Sequence, residues 1–183
     1  ATGSGDLALA IARALPDARV VGADFCAPLL ERAAAKGLRR VVVADALALP
    51  FADQVFDAAT IAFGFRNMVD RPLALRELAR VLRPGGLLAI LDFSLPRSAI
   101  MRVLYRCYLH TLLPPLAGLL TGRSSAYKYL GASIEDFPSG RSMLDLLARN
   151  GFAEAAQRPL TAGIVTLYTA RAARRSGHRQ TRG

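Results

Sequence analysis

Short apolar runs alternate with segments of helical periodicity along the first half of the chain. The apolar runs cover residues 19–24, 40–44, 56–63 and 87–93, and helical spacing covers residues 7–15, 28–36 and 72–82. Gly37 follows one predicted helix as a C-terminal cap, and Pro84-Gly85-Gly86 marks a turn after another. Repeated strand–helix units with continuous apolar strands predict an α/β domain whose mostly parallel sheet is covered on both faces.

The pattern changes after Ser94. Residues 97–122 are apolar with helical spacing and scattered arginines, which predicts a helical cap insertion over residues 95–135. A helix over 142–150 is predicted to end at Gly151, and residues 152–158 and 164–170 are predicted to form an antiparallel closing pair of strands. We therefore expect one domain over residues 1–170 and a disordered basic tail over 171–183.

Acidic and polar residues lie where the predicted strands end. Asp24 and Asp45 end two of the strands, and residues 63–67 and 92–94 lie at the ends of two others. Because ligands bind outside the carboxyl ends of parallel strands, we expect these four positions to be neighbours in space.

A glycine-containing loop opens the sequence and runs into the first predicted helix. Gly3 and Gly5 let the backbone approach a ligand closely, and the helix N-terminus offers free N–H groups. Ala8 stands where a pyrophosphate-binding pattern would have its third glycine, which counts against a dinucleotide.

The two acids indicate a nucleoside. Asp24 follows Gly5 by about 20 residues, the spacing at which an acid binds a ribose diol. A carboxylate accepts two hydroxyl donors and repels phosphate, so it favours an unphosphorylated ribose. Asp45 is placed to accept a hydrogen bond from an adenine amino group. Taken singly, either acid is better explained as a cap of the following turn or helix, whereas the loop and both acids together favour the nucleoside site.

Composition and charge restrict the partners. The 183-residue chain is 52% apolar with 21% charged residues, as expected of a globular protein. Cys26 and Cys107 are far apart, which argues against a disulfide framework or a zinc site, and no metal is expected. The apolar run 109–120 is too short for a membrane span, which needs about 20 residues.

The net charge of +10 is partly due to arginines near the C-terminus. They are Arg171, Arg174, Arg175, Arg179 and Arg182. A solvated tail is the favoured interpretation, and an electrostatic tether to anionic lipid is the second. Nucleic acid ranks last, because no aromatic residues alternate with the arginines, and none is expected as a partner.

Six longer motifs make the chain similar to a known family. They are ATGSGDLA (1–8), VGADFCAPLL (21–30), DALALPFADQVFDAATIAFGFRNMVD (45–70), RVLRPGGLLAILDFSLP (80–96), YKYLGASIEDFPSG (127–140) and LTAGIVTLY (160–168). Together they resemble the menaquinone/ubiquinone C-methyltransferase family up to about Tyr168, with Arg83 and Asp92 where Lys and Glu are usual. This resemblance implies a Rossmann-like methyltransferase fold with S-adenosylmethionine as the cofactor.

The resemblance also implies a set of cofactor-binding residues in the loop and at the strand ends. They are Gly3, Ser4, Gly5, Asp24, Asp45, Ala46 and Ala62. Ala62 stands where the family has a serine, so one hydrogen bond of about 1 kcal/mol is lost there.

The reaction implied is methyl transfer to a ring carbon of a prenylated quinol, either demethylmenaquinol or a ubiquinone precursor. Arg66 and Asn67 are the predicted catalytic residues, since a cation stabilises a phenolate and an amide can hold a ring oxygen. The alternatives are a surface Arg66 paired with Asp70 and an Asn67 that serves only as a turn residue.

Two tyrosines of the predicted cap, Tyr127 and Tyr129, either line the substrate pocket or pack the cap itself. His110 is expected to be packed or bridging, and His178 to be solvated.

The family has a first strand and N-terminal helices before the glycine loop, and this sequence does not contain them. Since the first strand is central in a Rossmann sheet, its absence predicts two strands with unpaired edges, in a chain that alone is poorly stable and inactive. We expect a cytoplasmic enzyme with peripheral contact at the inner membrane face through cap and tail, and a homodimer is left open. The alternatives are a methyltransferase for another small molecule and a nucleoside-binding module without turnover.

Overall fold

The computed structural model describes residues 1–96 and 136–174, together with residues 103, 105, 133 and 134. The helices are α1 (Asp6–Ala14), α2 (Ala27–Ala35), α3 (Arg71–Val81) and α4 (Arg141–Arg149); the strands are β1 (Gly22–Asp24), β2 (Val41–Val43), β3 (Phe56–Ala62), β4 (Leu82–Phe93), β5 (Phe152–Leu160) and β6 (Val165–Ala172). Most of the predicted cap, with Tyr127, Tyr129 and His110, lies outside the described residues, as does the tail after residue 174 with His178.

The strands form a mixed sheet, which confirms the α/β prediction and its antiparallel closing pair. In the larger sheet the order is β3-β4-β6-β5, and β1 pairs with β2 separately. The β1–β2 and β3–β4 ladders are parallel, whereas β6 runs antiparallel to both of its neighbours. The carboxyl ends of β1, β2, β3 and β4 therefore carry the loops in which the sequence predicts the site.

The sheet is divided between β1 and β3. Within the described part of the chain, β1 forms a ladder with β2 alone and β3 with β4 alone. Residues 1 and 2 lie at this division, because the backbone nitrogens of Ala1 and Thr2 both donate to the carbonyl of Ala23, at 2.8 and 2.9 Å. A Cβ on Gly64, beyond the end of β3, would come within 2.5 Å of the Ala1 Cβ.

The main core lies where α3 and α4 cover the larger sheet. Alternating residues of β4, among them Leu88 and Ile90, are buried, and β6 contributes Tyr168. The α3 sequence buries positions 74, 75, 78 and 81, which lie on one face at helical spacing. A smaller cluster of Ala8, Ala33 and Leu38 joins α1 to α2. No described helix is long and apolar enough to cross a membrane.

Two element bounds differ from the prediction. The apolar run 19–24 pairs only from Gly22 onward, so β1 is shorter than its hydrophobic pattern. The predicted turn at residues 84–86 is a bulge within β4. Phe56 pairs with Leu82 but Ala58 with Leu87, so residues 83–86 of β4 lie opposite Asp57 alone and the bulge contains three extra residues.

The absence of a side chain at Gly5 allows α1 and α2 to approach each other closely, and this gives a test of the packing. Its φ is +82°, and an added Cβ would lie 2.7 Å from the Cβ of Ala33. Gly85 has nearly the same φ of +81°, but no described atom lies within 4 Å of the place that its Cβ would take, so Gly85→Ala introduces backbone strain alone. We expect Gly5→Ala to lower the free energy of unfolding by about 1–3 kcal/mol more than Gly85→Ala, in urea titrations. Equal losses would contradict the close α1–α2 contact.

Candidate cofactor and acceptor site

The glycine loop between residue 2 and α1 is open on one side. Gly3 has a φ of +55°, and no described heavy atom lies within 4 Å of the place where a Cβ would stand. Gly5 is the N-cap of α1, and no described side chain caps the helix there. The first N–H groups of α1 and the space beside Gly3 therefore remain available to a ligand.

Asp24 joins this loop to the end of β1. Its Oδ2 accepts a hydrogen bond from the Gly3 nitrogen at 2.8 Å, and its Oδ1 accepts one from the Cys26 nitrogen at 3.0 Å. The residue is buried. A carboxylate has about four acceptor positions, so two remain after these bonds for hydroxyl donors. The capping role that the sequence left open is thus present, and it leaves acceptor capacity for a ribose.

Asp45 and Ala46 lie beside Asp24 in a tight turn after β2. The Ala44 nitrogen donates to the Asp24 carbonyl at 2.9 Å, which joins the turn to β1. Asp45 Oδ1 accepts from the Leu47 nitrogen at 2.9 Å, an Asx-type turn that also leaves its second oxygen for a ligand. Asp45 is exposed, and Ala46 is half-buried.

Ser4 is engaged within the loop. Its hydroxyl donates to Asp6 Oδ2 at 2.7 Å, and Lys36 Nζ donates to Asp6 Oδ1 at the same distance. The hydrogen bonds from Lys36 and Ser4 hold the pKa of Asp6 below its usual value. The Ser4 oxygen retains its lone pairs, so Ser4 is able to accept a hydrogen bond from a ligand.

Arg66 is buried in an ion pair with Asp92 at the end of β4. The Asp92 carboxylate is fully buried, and the Arg66 side chain is 10% exposed. Arg66 Nη1 donates to Asp92 Oδ1 at 2.8 Å, and the Arg66 backbone nitrogen donates to Oδ2 at 3.0 Å. Nη1 also donates to the Phe63 carbonyl, and the guanidinium lies 5.1 Å from the centre of the Phe93 ring. Arg66 Nε is buried and has no hydrogen-bond partner among the described residues.

The surface pairing of Arg66 with Asp70 is therefore wrong. Asp70 is the N-cap of α3 and accepts from the Leu73 nitrogen at 2.8 Å. Asn67 ends a 3-10 turn over Phe65–Asn67, and its nitrogen donates to the Gly64 carbonyl at 3.2 Å. The turn geometry expected as an alternative for Asn67 is thus present next to the buried guanidinium.

Sequence reasoning missed the exposed apolar residues at this edge. Phe25, directly after Asp24, is 80% exposed, Val69 before α3 is 97% exposed, and Val43 and Phe63 are exposed at strand ends. Single exposed apolar residues are ordinary on a protein surface, and Phe25 is singled out because it directly follows Asp24. The sequence feature that could have indicated this residue is the position of an aromatic side chain, Phe25, directly after Asp24 at the end of a predicted strand.

The structure places the predicted residues in two groups. Gly3, Ser4, Gly5, Asp24, Asp45 and Ala46 belong to the loops around β1 and β2, and Ala62, Arg66 and Asn67 belong to the end of β3 and the loop after it. No group of three metal-ligating side chains occurs among the described residues.

Comparison with known proteins identifies the fold and the family. A S-adenosylmethionine-dependent methyltransferase of Thermotoga maritima superposes with a TM-score of 0.62 at 18% identity, over 93% of this chain and 78% of the other. A phosphoethanolamine N-methyltransferase of Haemonchus contortus, in complex with S-adenosylhomocysteine, gives a TM-score of 0.68 at 14% identity, over 94% of this chain and 47% of the other. The fold is therefore the Rossmann-like fold of this enzyme class.

The chain belongs to the ubiE/COQ5 methyltransferase family, whose model matches residues 1–172. It is 47% identical to the demethylmenaquinone methyltransferase of Thermus thermophilus, over 92% of this chain and 78% of that protein. It is 44% identical to the ubiquinone/menaquinone biosynthesis C-methyltransferase of Syntrophotalea carbinolica, over 92% and 73%. The predicted family is confirmed, and the chain is a methyltransferase that uses S-adenosylmethionine.

The residues present fit this cofactor. The space beside Gly3 is open, since no described heavy atom lies within 4 Å of the place of a Cβ, and the Asp24 carboxylate keeps acceptor positions for two ribose hydroxyls. Asp45 has a second oxygen for a base amino group, and the exposed Phe25 ring offers a flat apolar surface.

Removal of Arg66 gives a test of the buried pair. We expect Arg66→Met to lower the free energy of unfolding by about 3–5 kcal/mol, because the buried Asp92 carboxylate loses its counter-ion. The double variant Arg66→Met/Asp92→Asn should recover part of this loss, since the uncompensated charge is gone. Urea titrations measure both.

The control for this test is Arg83→Met. Arg83 pairs with Asp57 at the surface, so the loss should be about 1 kcal/mol or less. A loss at Arg66 no larger than that at Arg83 would show that the Arg66–Asp92 pair is not buried in solution.

Proposed function

We propose that this enzyme transfers the methyl group of S-adenosylmethionine to a ring carbon of a prenylated quinol, with demethylmenaquinol as the first acceptor to test. The names of its relatives support this acceptor class. The observation that carries the proposal is the buried Arg66 in the loop that follows β3, whose guanidinium Nε has no hydrogen-bond partner among the described residues.

Binding of the cofactor is assigned to the loops of β1 and β2. Asp24 takes the ribose hydroxyls, Asp45 and Ala46 take the adenine, and Gly3, Ser4 and Gly5 with the N-terminus of α1 take the amino-acid part. Ala62 lies at the end of β3 without the hydroxyl of a serine, so it contributes only contact. When bound, S-adenosylmethionine supplies an electrophilic methyl group.

Arg66 is assigned to the acceptor. Loss of one ring hydroxyl proton makes the adjacent ring carbon of a quinol nucleophilic, and a cation close to the resulting phenolate stabilises it. Asp92 compensates the buried charge of Arg66 and, through the Arg66 backbone nitrogen and Nη1, restricts the guanidinium to one orientation. Asn67 ends the same turn and is assigned to a second ring oxygen of the acceptor.

An open groove beside this loop is proposed as the place of the acceptor. Its volume is about 310 Å³, and its lining includes the exposed Val69, Leu146 and the Arg71–Asp136 ion pair. Arg71 Nη2 donates to the Arg66 carbonyl at 3.0 Å, so the groove adjoins the predicted catalytic loop. Tyr127 and Tyr129 are proposed as further pocket residues.

The proposed location is the cytoplasm, with peripheral contact at the inner face of the membrane. The basic residues near the C-terminus support this contact, because they attract anionic lipid.

The proposal is tested by transfer of label from S-adenosylmethionine to demethylmenaquinol, with protein expressed from its complete reading frame. We expect labelled quinone from the natural protein and none from Asp24→Ala, while Asp17→Ala, a change at an exposed acid, leaves the rate unaltered. Transfer to other small molecules but not to quinols would reject the acceptor. Cofactor binding without any transfer would indicate a binding module.

A second variant tests the acceptor role of Arg66. Arg66→Lys keeps the charge but loses the planar donor group, and we expect kcat to fall by about 100-fold with little change in cofactor affinity. An unchanged kcat would remove Arg66 from the chemistry.

A further inference from the structure

Two side chains of α3, Glu77 and Arg80, hold the segment that leads from the cofactor site back to β3. Arg80 Nη2 donates to the Leu49 carbonyl at 2.9 Å, and Nη1 donates to the Phe51 carbonyl at 2.7 Å and to Asp53 Oδ1 at 2.9 Å. Glu77 Oε2 accepts from the Leu49 nitrogen at 2.9 Å. Residues 49–53 are therefore bound to α3 by side-chain contacts along their length.

Glu77 and Arg80, which together are called the clamp, are also bound to each other. Arg80 Nε and Nη2 both donate to the Glu77 carboxylate at 2.8 Å. The hydrogen bond from Arg80 lowers the pKa of Glu77, and the bonds to Glu77 and Asp53 raise the pKa of Arg80. The planar guanidinium of arginine has five N–H donors in fixed directions, so it can bind this set of partners at once. A lysine ammonium group cannot reproduce that arrangement.

Leu49 connects the clamp to the turn that contains Asp45 and Ala46. Both of its backbone polar groups are satisfied by α3 side chains, and it follows directly on the Asp45–Ala48 turn. The residue before that turn is fixed by the hydrogen bond from the Ala44 nitrogen to the Asp24 carbonyl. The clamp fixes the residue after the turn.

The contacts of Glu77 and Arg80 also connect the turn after β2 to the main core. The clamp joins the chain after that turn to α3, which packs in the main core through Ala74, Leu75 and Leu78.

We propose that Glu77 and Arg80 are positioning residues for the adenine end of the cofactor site. They act through Leu49 and set the place of Asp45 and Ala46, without touching the cofactor. This inference rests on the proposed assignment of Asp45 and Ala46, and it concerns affinity for the cofactor and not the chemistry at the acceptor.

The experiment measures binding of S-adenosylhomocysteine by calorimetry to the natural protein, to Arg80→Lys and to Arg83→Lys. Arg83 lies three residues further on and pairs with exposed Asp57, so it is the matched control. We expect Kd to rise about tenfold in Arg80→Lys, because the turn must then be ordered on binding, and to stay unchanged in Arg83→Lys. Hydrogen exchange of amides 45–53 should accelerate in Arg80→Lys alone.

Thermal unfolding of each variant identifies a temperature at which all of them are folded, and binding is compared there. If Arg80→Lys does not fold, Glu77→Gln takes its place. In activity measurements the KM for the cofactor should rise while the KM for the quinol stays constant. Faster exchange with an unchanged Kd would overturn the inference, because the clamp would then be structural only. Absence of binding by the natural protein would instead reject the proposed cofactor site, so the two failures are distinguishable.

Discussion

The buried pair of Arg66 and Asp92 is the interaction on which the loop after β3 depends. A carboxylate with no exposed surface at the end of β4 requires a counter-ion and several donors, and Arg66 supplies a side-chain and a backbone donor. The loop after β3 is thereby held against β4. An arginine that is pre-oriented in this way loses little conformational freedom when it meets a developing negative charge.

A second carboxylate organises the glycine loop. Asp24 holds the loop to the end of β1 through the Gly3 nitrogen, and its remaining acceptor positions are the ones that the proposed site assigns to a ribose. Glu77 and Arg80 bind residues 49–53, the segment that follows the turn after β2, to α3.

Much of this organisation was predictable because it is local. Helical periodicity located α1, α2, α3 and α4, and the acids at strand ends located one edge of the sheet, since parallel strands bring their carboxyl ends together. The bulge at residues 84–86 was predicted as a turn, because glycine and proline mark a break in pairing without specifying whether the strand resumes.

The sequence by itself determined the α/β class, the antiparallel closing pair, the family and the set of residues at the strand ends, because these follow from periodicity, spacing and motif. Only the tertiary structure decided that Arg66 pairs with Asp92 and not Asp70, and that Arg80 binds a segment about thirty residues away. The physical reason is that a charged side chain selects its partner by distance and burial after folding. Proximity along the chain favoured Asp70, whereas the parallel pairing of β3 with β4 brought Asp92 to Arg66.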